Sequence, residues 1–579
     1  MRVSDYIADF LAEKAVKHVF TIPGGGCIHL NDAIARQDSI EVVANHHEQA
    51  CALAAEGYAR LKGELGVCIV TSGPGGSNAW TGTLCSYQDS VPVMVISGNV
   101  NRNLTTDYTG LDLRQLGDQE FNVVKTVKNF TKYAIQVNDP LTIRYHLERA
   151  YYEAINGRPG PVWLDIPLDV QSAQIDPTQL AGYDLDEVAS TYTLSQQDVD
   201  VILDKLSKSE KPLIVAGHGV RLSKSVELLD LILQRYKIPV VTSFNGNDAV
   251  SNEYKYYCGR FGTHAQIAAN KIVQEADFVL TLGSRLYVRQ IGYNFSSFAE
   301  NAFKVYVDID KNELHKPTLF PDIRVHCDVL RFLDRIKHDI NVGDISEWRS
   351  HCMHLVENSP TVLERHRQKK PLSVYAFMEC LNKHMKSELP VITSDGSANI
   401  VGMQVLKLKK GQRLFSNKST APMGYGLPAA IGACFANNRK EVVCLEGDGS
   451  LHMNVHELQL IHQHNLPLKL FVINNDGYVS IKITQKSFCN GLLSVSNASS
   501  GLTLPSYKKL ARAYGIPYIS IKNTKNLQKQ IDKCFALAGP LLVEVFVDPD
   551  EYHEPKVIAQ IDAEGRFIPG KLENIQWIE

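Results

Sequence analysis

Glu441-Val-Val-Cys-Leu-Glu446-Gly447-Asp448-Gly449-Ser450 leads, after the stretch Leu451–Asn465, into Leu468-Lys-Leu-Phe-Val-Ile473-Asn474-Asn475. The two apolar runs, 441–446 and 468–473, have the length and composition of buried strands, and 451–465 reads as a helix between them. A right-handed strand–helix–strand unit places both strand ends on one edge of a parallel sheet. Asp448 and Asn475, 27 positions apart, are therefore expected to meet at one point. A carboxylate, an amide oxygen and a nearby carbonyl suit a hard cation such as Mg²⁺, which keeps positions for phosphate and water. Gly447 and Gly449 let the backbone approach phosphates, and the helix start at Ser450 offers amide donors. The bland alternative is a chance Asp turn and a chance Asn-Asn turn. Each alone is a weak signal; both at strand ends with this gap favour a metal–diphosphate site.

Working outward, short apolar strands alternate with helical patterns almost throughout, which predicts α/β architecture with three doubly wound parallel-sheet domains. Their expected bounds are 1–171, 190–342 and 371–550, with a tail over 551–579. The polar stretch from Ser172 to about Gln197 reads as a linker, and a charged, helix-rich segment joins the second domain to the third. The first and third domains both show strand, Gly-rich turn and helix, so they read as distant copies of one fold.

Bulk properties exclude several classes. A net charge of -3 without a long Lys/Arg block argues against a nucleic-acid partner. The longest apolar runs, such as Val91–Ser97, are too short to cross a bilayer. Asp5, Asp9 and Glu13 fit neither a signal nor a transit peptide. The twelve cysteines form no Cys-x-x-Cys, so neither a zinc site nor a disulfide framework is expected, and a reducing cytoplasm is the expected compartment.

Gly-Asp-Gly followed at this spacing by Asn-Asn resembles the thiamine diphosphate signature. Asn45-His46-His47-Glu48-Gln49-Ala50 with Ala55-Glu56-Gly57-Tyr58-Ala59-Arg60 is similar to a segment of the acetolactate synthase family, as are Val19–Gly26, Thr71-Ser-Gly-Pro-Gly and Ala421-Pro-Met423-Gly-Tyr-Gly. The resemblance covers nearly the whole chain and implies three domains: pyrimidine-binding, central flavin-type and diphosphate-binding. It implies that Asp448, Asn475 and the carbonyl of Gly477 hold Mg²⁺, and that Gly447, Gly449, Ser450, Asn475 and Asn399 approach the diphosphate. Met423 becomes the apolar wedge under thiamine diphosphate. Glu48 becomes the proton relay to the aminopyrimidine, where a first-turn helix acid is the alternative. Gln119 and the Gly25 turn line the reacting centre.

For FAD, the matching segments supply Arg158, His264, Arg285, Arg289, Asp308, Ile309, Asp328 and Val329, although such residues also serve as caps and ion pairs in any α/β domain. The resemblance further implies a small 2-oxo acid substrate, and a homodimer or tetramer in which Glu48 acts on the cofactor of a neighbouring subunit. Three positions depart from the family pattern: Asp118 replaces a phenylalanine, Leu168 a lysine and Thr484 a tryptophan. These changes make the pocket larger and more polar. Carboligation with pyruvate as donor is the leading expectation. Acetyl transfer to a nucleotide-linked keto sugar, simple decarboxylation, flavin oxidation and a binding protein without turnover stay open beside it.

Overall fold

The structure, a computed structural model, describes residues 1–184, 192, 194–561 and 567–578. The linker expected from Ser172 to Gln197 lies partly outside the described residues; within it, Pro177–Gln179 forms a 3-10 turn.

The Val-, Ile- and Leu-rich runs become strands of three six-stranded, wholly parallel sheets. Across the first lie Glu41–Ala44, His18–Thr21, Gly66–Val70, Val93–Asn99, Val162–Pro167 and Tyr133–Gln136. Across the third lie Leu414–Phe415, Val391–Thr393, Val442–Gly447, Leu468–Asn474, Leu541–Phe546 and Tyr518–Ile521. Counted in chain order within each sheet, both run 2-1-3-4-6-5, so the two outer sheets share one topology. The middle sheet orders Ile323–His326, Phe303–Asp308, Phe278–Leu282, Pro212–Ala216, Val240–Thr242 and Tyr257–Arg260. Its order, 6-5-4-1-2-3, is that of a dinucleotide-type sheet whose direction reverses beside its first strand. Every residue of Gly66–Val70, Val93–Asn99 and Phe278–Leu282 is buried, as expected of strands covered by helices on both faces.

The first and third sheets are joined through two helices rich in small residues, Glu48–Lys62 and Gly426–Ala436. A Cβ added at Gly57 would lie 2.2 Å from the Ala429 carbonyl oxygen, and one at Gly432 only 1.9 Å from that of Ala54. The backbones touch because both positions are glycine. Glu56, Arg60 and Asp89 form a buried network across the same seam. Arg60 Nη2 reaches Asp89 Oδ2 at 3.0 Å, and Tyr425 donates to Glu56 Oε2 at 2.6 Å. These motif residues thus tie the domains together.

Two expectations need correction. The helix read over 451–465 is broken into Asp448–Leu451, a 3-10 stretch His452–Glu457 and Leu458–Gln463, with Asn454 at φ −131°, ψ 30°. The cause is the Asn454 side chain, which donates to the Gly424 carbonyl at 2.8 Å and to Gln49 Oε1 at 3.2 Å, drawing the chain out of helical geometry. The segment read as a tail packs against the middle domain, a contact the sequence reading did not give. Lys556–Val557 pairs with Ile575–Gln576, the Val557 N–H donates to Thr263 O at 2.9 Å, and Asn270 donates to Leu572 O at 3.0 Å. It therefore clips the middle domain and places His553 beside the third.

Candidate active site

Strand Val442–Gly447 runs straight into Asp448, and its neighbour Leu468–Asn474 stops one residue before Asn475. The Asp448 carboxylate is buried. Oδ1 accepts the Gly449 N–H at 2.7 Å, and Oδ2 accepts those of Asn475 and Gly477 at 3.0 Å each. Burial pushes this carboxyl up to about 6, although the three N–H groups pull it down. A bound cation would favour the ionised form. Asn475 Nδ2 donates to Ser397 Oγ at 3.1 Å, which orients the amide and leaves its oxygen without a donor among the described residues. Gly477 has φ 105°, and a Cβ there would lie 2.4 Å from Ser496 O, so only glycine fits. The donor set of carboxylate, amide oxygen and carbonyl is all oxygen, which suits Mg²⁺ rather than zinc.

These groups line an open cleft of about 740 Å³ with Gly447, Gly449, Ser450, Ser397 and Asp395, and with Met423. A Cβ on Gly449 would lie 2.3 Å from the Tyr478 ring, and Ser450 Oγ accepts the Gly424 N–H at 2.8 Å. Asn399 does not line the cleft. Its amide donates instead to Thr393, Ser394 and Ser416, because its helix turns it into the domain interior. Thr484 is exposed and bonded to the Ser480 carbonyl, outside the cleft lining.

Sequence reasoning missed two residues here. Lys482 is buried and donates to the carbonyls of Asn475 at 2.9 Å and Asp476 at 3.3 Å, fixing the Asn-Asn turn. His553 Nε2 lies 2.9 Å from Ser397 Oγ, so the tail reaches the same cleft. Helical spacing after Asn475 hints at Lys482. Nothing local signals His553.

The C-terminal edge of the first sheet collects the other residues. Glu48 opens its helix, with His47 as N-cap, and Oε2 accepts from Asn78 at 2.9 Å. Gly25 begins a 3-10 turn after strand His18–Thr21, and the Gly26 N–H bonds Thr71 Oγ1 at 3.1 Å. Gln119 is exposed with φ 59°, against Gly73. None of Glu48, Gly25 and Gln119 lines the cleft of their own chain.

A second cleft opens where the middle sheet reverses direction. It is lined by Arg158, Arg285, Asp308, Ile309, Asp328 and Val329, beside Gly219 and Gly283. A Cβ on Gly219 would lie 2.6 Å from the Gly283 Cα, so two glycine backbones form the floor. Burial pushes the Asp308 carboxyl up to about 6. Arg158 bridges domains, pairing with Asp310 at 2.8 Å and Glu313 at 2.9 Å. His264 and Arg289 do not line this cleft; they follow the loop toward Lys418 and His553 instead.

An all-oxygen cleft at the edge of one sheet, a twin sheet carrying an acid at its own edge and a dinucleotide-type sheet between them are the architecture of a cofactor-dependent α/β enzyme. Residues 1–124 match the N-terminal TPP binding domain of thiamine pyrophosphate enzymes, 199–336 the central domain and 395–545 the C-terminal TPP binding domain. The acetolactate synthase large subunit of Lactococcus lactis subsp. lactis (strain IL1403) is 31% identical over 562 residues, 97% of this chain and 95% of that one. The acetolactate synthase isozyme 2 large subunit of Escherichia coli (strain K12) is 30% identical over 563 residues, 96% of this chain and 97% of that one. The chain belongs to the thiamine pyrophosphate enzyme family, among its acetolactate synthase-like members.

Proposed function

We propose that the chain is a carboligase that decarboxylates pyruvate and transfers the two-carbon unit to a second carbonyl compound. The observation that carries this reading is the meeting of Asp448, Asn475 and Gly477 at one sheet edge, in a chain similar over its full length to acetolactate synthase large subunits. The relatives named above favour it over acetyl transfer to a keto sugar and over simple decarboxylation.

Asp448, Asn475 and the Gly477 carbonyl would hold Mg²⁺; Gly447, Gly449 and Ser450 would offer backbone and hydroxyl to the diphosphate, and Met423 would supply an apolar support for the cofactor. When bound, thiamine diphosphate supplies the carbanion nucleophile and the electron sink for loss of carbon dioxide. Glu48 would hold a proton for the cofactor's aminopyrimidine ring, and Gln119 and the Gly25 turn would line the reacting centre. Because these three residues stand apart from the cleft of their own chain, a second copy supplies them, and the active unit is a homodimer or a multiple of it. Exposed apolar residues flank both halves: Leu111 and Tyr108 before Gln119, and Leu492 and Val495 after the helix Val479–Phe488. FAD fits the middle cleft, where Asp308 ends its strand, Asp328 caps the helix that follows the next one, and glycine backbones allow close approach.

The test is product NMR on ¹³C-pyruvate with thiamine diphosphate, Mg²⁺ and FAD. Labelled acetolactate supports the reading. Carbon dioxide release with little acetolactate moves the acceptor to another carbonyl compound. No consumption of pyruvate overturns the donor.

A further inference from the structure

We propose that His553 is a positioning residue of the metal site: it takes the hydroxyl proton of Ser397, and so keeps the amide oxygen of Asn475, not its NH₂ group, free for the cation. This rests on the reading of Asp448, Asn475 and Gly477 as a Mg²⁺ site, and adds to it the group that decides which end of the amide the site presents.

Asn475 is held twice through its backbone: its N–H donates to Asp448 Oδ2 at 3.0 Å, and its carbonyl accepts from the Lys482 ammonium at 2.9 Å. Neither bond fixes the rotation of the side chain. An amide turned by half a circle about its last bond keeps its shape but exchanges oxygen for NH₂, and only the oxygen can bind a cation. The one hydrogen bond of the Asn475 side chain among the described residues runs from Nδ2 to Ser397 Oγ at 3.1 Å. Ser397 lines the cleft. His553 is buried outside that lining, with Nε2 2.9 Å from the same Oγ.

A hydroxyl has one proton to give. Ser397 Oγ already accepts from Asn475, so its proton goes to the acceptor left within reach, the bare Nε2 of a neutral imidazole whose own proton sits on Nδ1. Burial and the Lys556 ammonium keep that ring neutral, drawing it down to about 4. The bonds then run in series, from the Asn475 N–H to the Ser397 hydroxyl and from that hydroxyl to His553 Nε2. Among the described residues Ser397 Oγ has no third partner. Without the imidazole its proton has only the Asn475 amide to meet, and the amide can accept it only by turning its oxygen to Ser397.

The segment that carries His553 is fixed on both sides of it by other groups. Glu551 accepts the Val374 N–H at 2.7 Å. Glu554 accepts from Arg365 at 2.9 Å and from the Ile578 N–H at 2.7 Å, and the Tyr375 hydroxyl donates to the Glu554 carbonyl at 2.6 Å. The carboxylates dock the tail, and the imidazole is left to act on Ser397. His366 is the contrast. It is also buried, but its Nε2 meets the Glu554 carboxylate at 3.1 Å and so serves the docking itself.

The test is titration of the full chain, with thiamine diphosphate present, by Mn²⁺ as a paramagnetic stand-in for Mg²⁺. Free Mn²⁺ is read from its electron paramagnetic resonance signal, and thermal unfolding of each chain is followed alongside. Wild type, His553→Gln, His553→Asn, His553→Phe, Ser397→Ala and the double variant of Ser397→Ala with His553→Phe are compared. The amide oxygen of glutamine reaches the place of Nε2, and that of asparagine the place of Nδ1. His553→Gln should therefore keep wild-type affinity, while His553→Asn and His553→Phe bind Mn²⁺ about 10–100-fold more weakly, as loss of a group that orients a metal ligand predicts. Ser397→Ala should fall as far and the double variant no further, because one series of bonds is broken once. Equal affinity in His553→Gln and His553→Asn overturns the proposal, whether or not His553→Phe folds. So do losses that add in the double variant, or losses that track the fall in melting temperature, which would make His553 only an anchor of the tail. A wild type that binds no Mn²⁺ removes the metal site and this inference with it. A wild type that binds Mn²⁺, with the same affinity in every His553 variant, removes the inference alone.

Discussion

Glu457 accepts the backbone N–H of His46 at 2.8 Å and the side-chain amide of Asn45 at 2.9 Å, tying the broken segment of the third domain to the turn that starts the Glu48 helix. Burial pushes its carboxyl up to about 7, against the pull of the two donors. A carboxyl raised in the folded state binds its proton more tightly there. Its contribution is full below about pH 4 and is lost as pH rises through about 7. Glu457→Gln cannot ionise and should escape that loss. Urea unfolding from about pH 5 to pH 8 should shift the stability gap in favour of the variant, by about 3 kcal/mol at most. A gap that does not move with pH would show that Glu457 does not titrate in this range.

Asp448 draws three backbone N–H groups and is assigned to the metal. Asp448→Ala should weaken Mg²⁺-dependent thiamine diphosphate binding about a hundredfold or more. It also removes the acceptor of the Asn475 and Gly477 N–H groups, at a cost of about 1–3 kcal/mol in stability. Asp448→Asn keeps part of that acceptor and should recover more stability than affinity. Cofactor titration by fluorescence beside thermal unfolding separates the two effects. Wild-type affinity in Asp448→Ala would remove Asp448 from the metal site.

Much of this was legible in the sequence, because continuous apolar runs of strand length are a local signal. Val442–Gly447 and Leu468–Asn474 lie where they were read, and the strand-end rule brought Asp448 to Asn475 without any coordinate. Side-chain bonds to distant backbone are not local. The pattern over 451–465 is helical in period, yet the bond from Asn454 to Gly424 breaks it. Asn399 stands at a strand end, as a phosphate ligand would, but its helix turns it inward. His264 and Arg289 are placed with the flavin by the resemblance of their segments, and a matching segment does not by itself fix which side chains line a cleft. His553 lies in a tail without periodicity, and only the return of that tail over Thr263 brings it to Ser397.

Asp248 holds three domains at one point. Its Oδ1 takes Arg221 Nε at 2.9 Å and its Oδ2 takes Arg413 Nε at 2.6 Å, while Arg413 also donates to the carbonyls of Arg60 and Leu61. Desolvation alone would raise the Asp248 carboxyl, but the two guanidinium groups outweigh it and hold it well below the usual carboxylate range. A depressed carboxyl stabilises the fold above its unfolded pKa of about 4, and that share is lost as pH falls toward the folded value. Asp248→Asn should cost about 1–3 kcal/mol near neutral pH, since it leaves two half-buried cations without their carboxylate, and less in acid. Denaturant unfolding at both pH values checks the magnitude and the sign.

Glu48 does not line the cleft that holds Asp448 in its own chain, and the proposed sharing of sites between two copies predicts complementation. Glu48→Gln should retain cofactor binding and lose about 10²–10⁴ in rate, as expected for loss of a proton relay. Asp448→Ala should lose binding. Co-expressed with different tags, the two inactive chains pair at random, and half of the dimers are mixed. Each mixed dimer carries one site with Glu48 from one chain and Asp448 from the other, both intact. Activity should return to about a quarter of the wild-type level, because one of its two symmetric sites is whole. If Glu48 served the cleft of its own chain, every site in the mixture would lack one residue and no activity would return. Purification through both tags in sequence then decides the matter, since the restored activity must follow the mixed dimer alone.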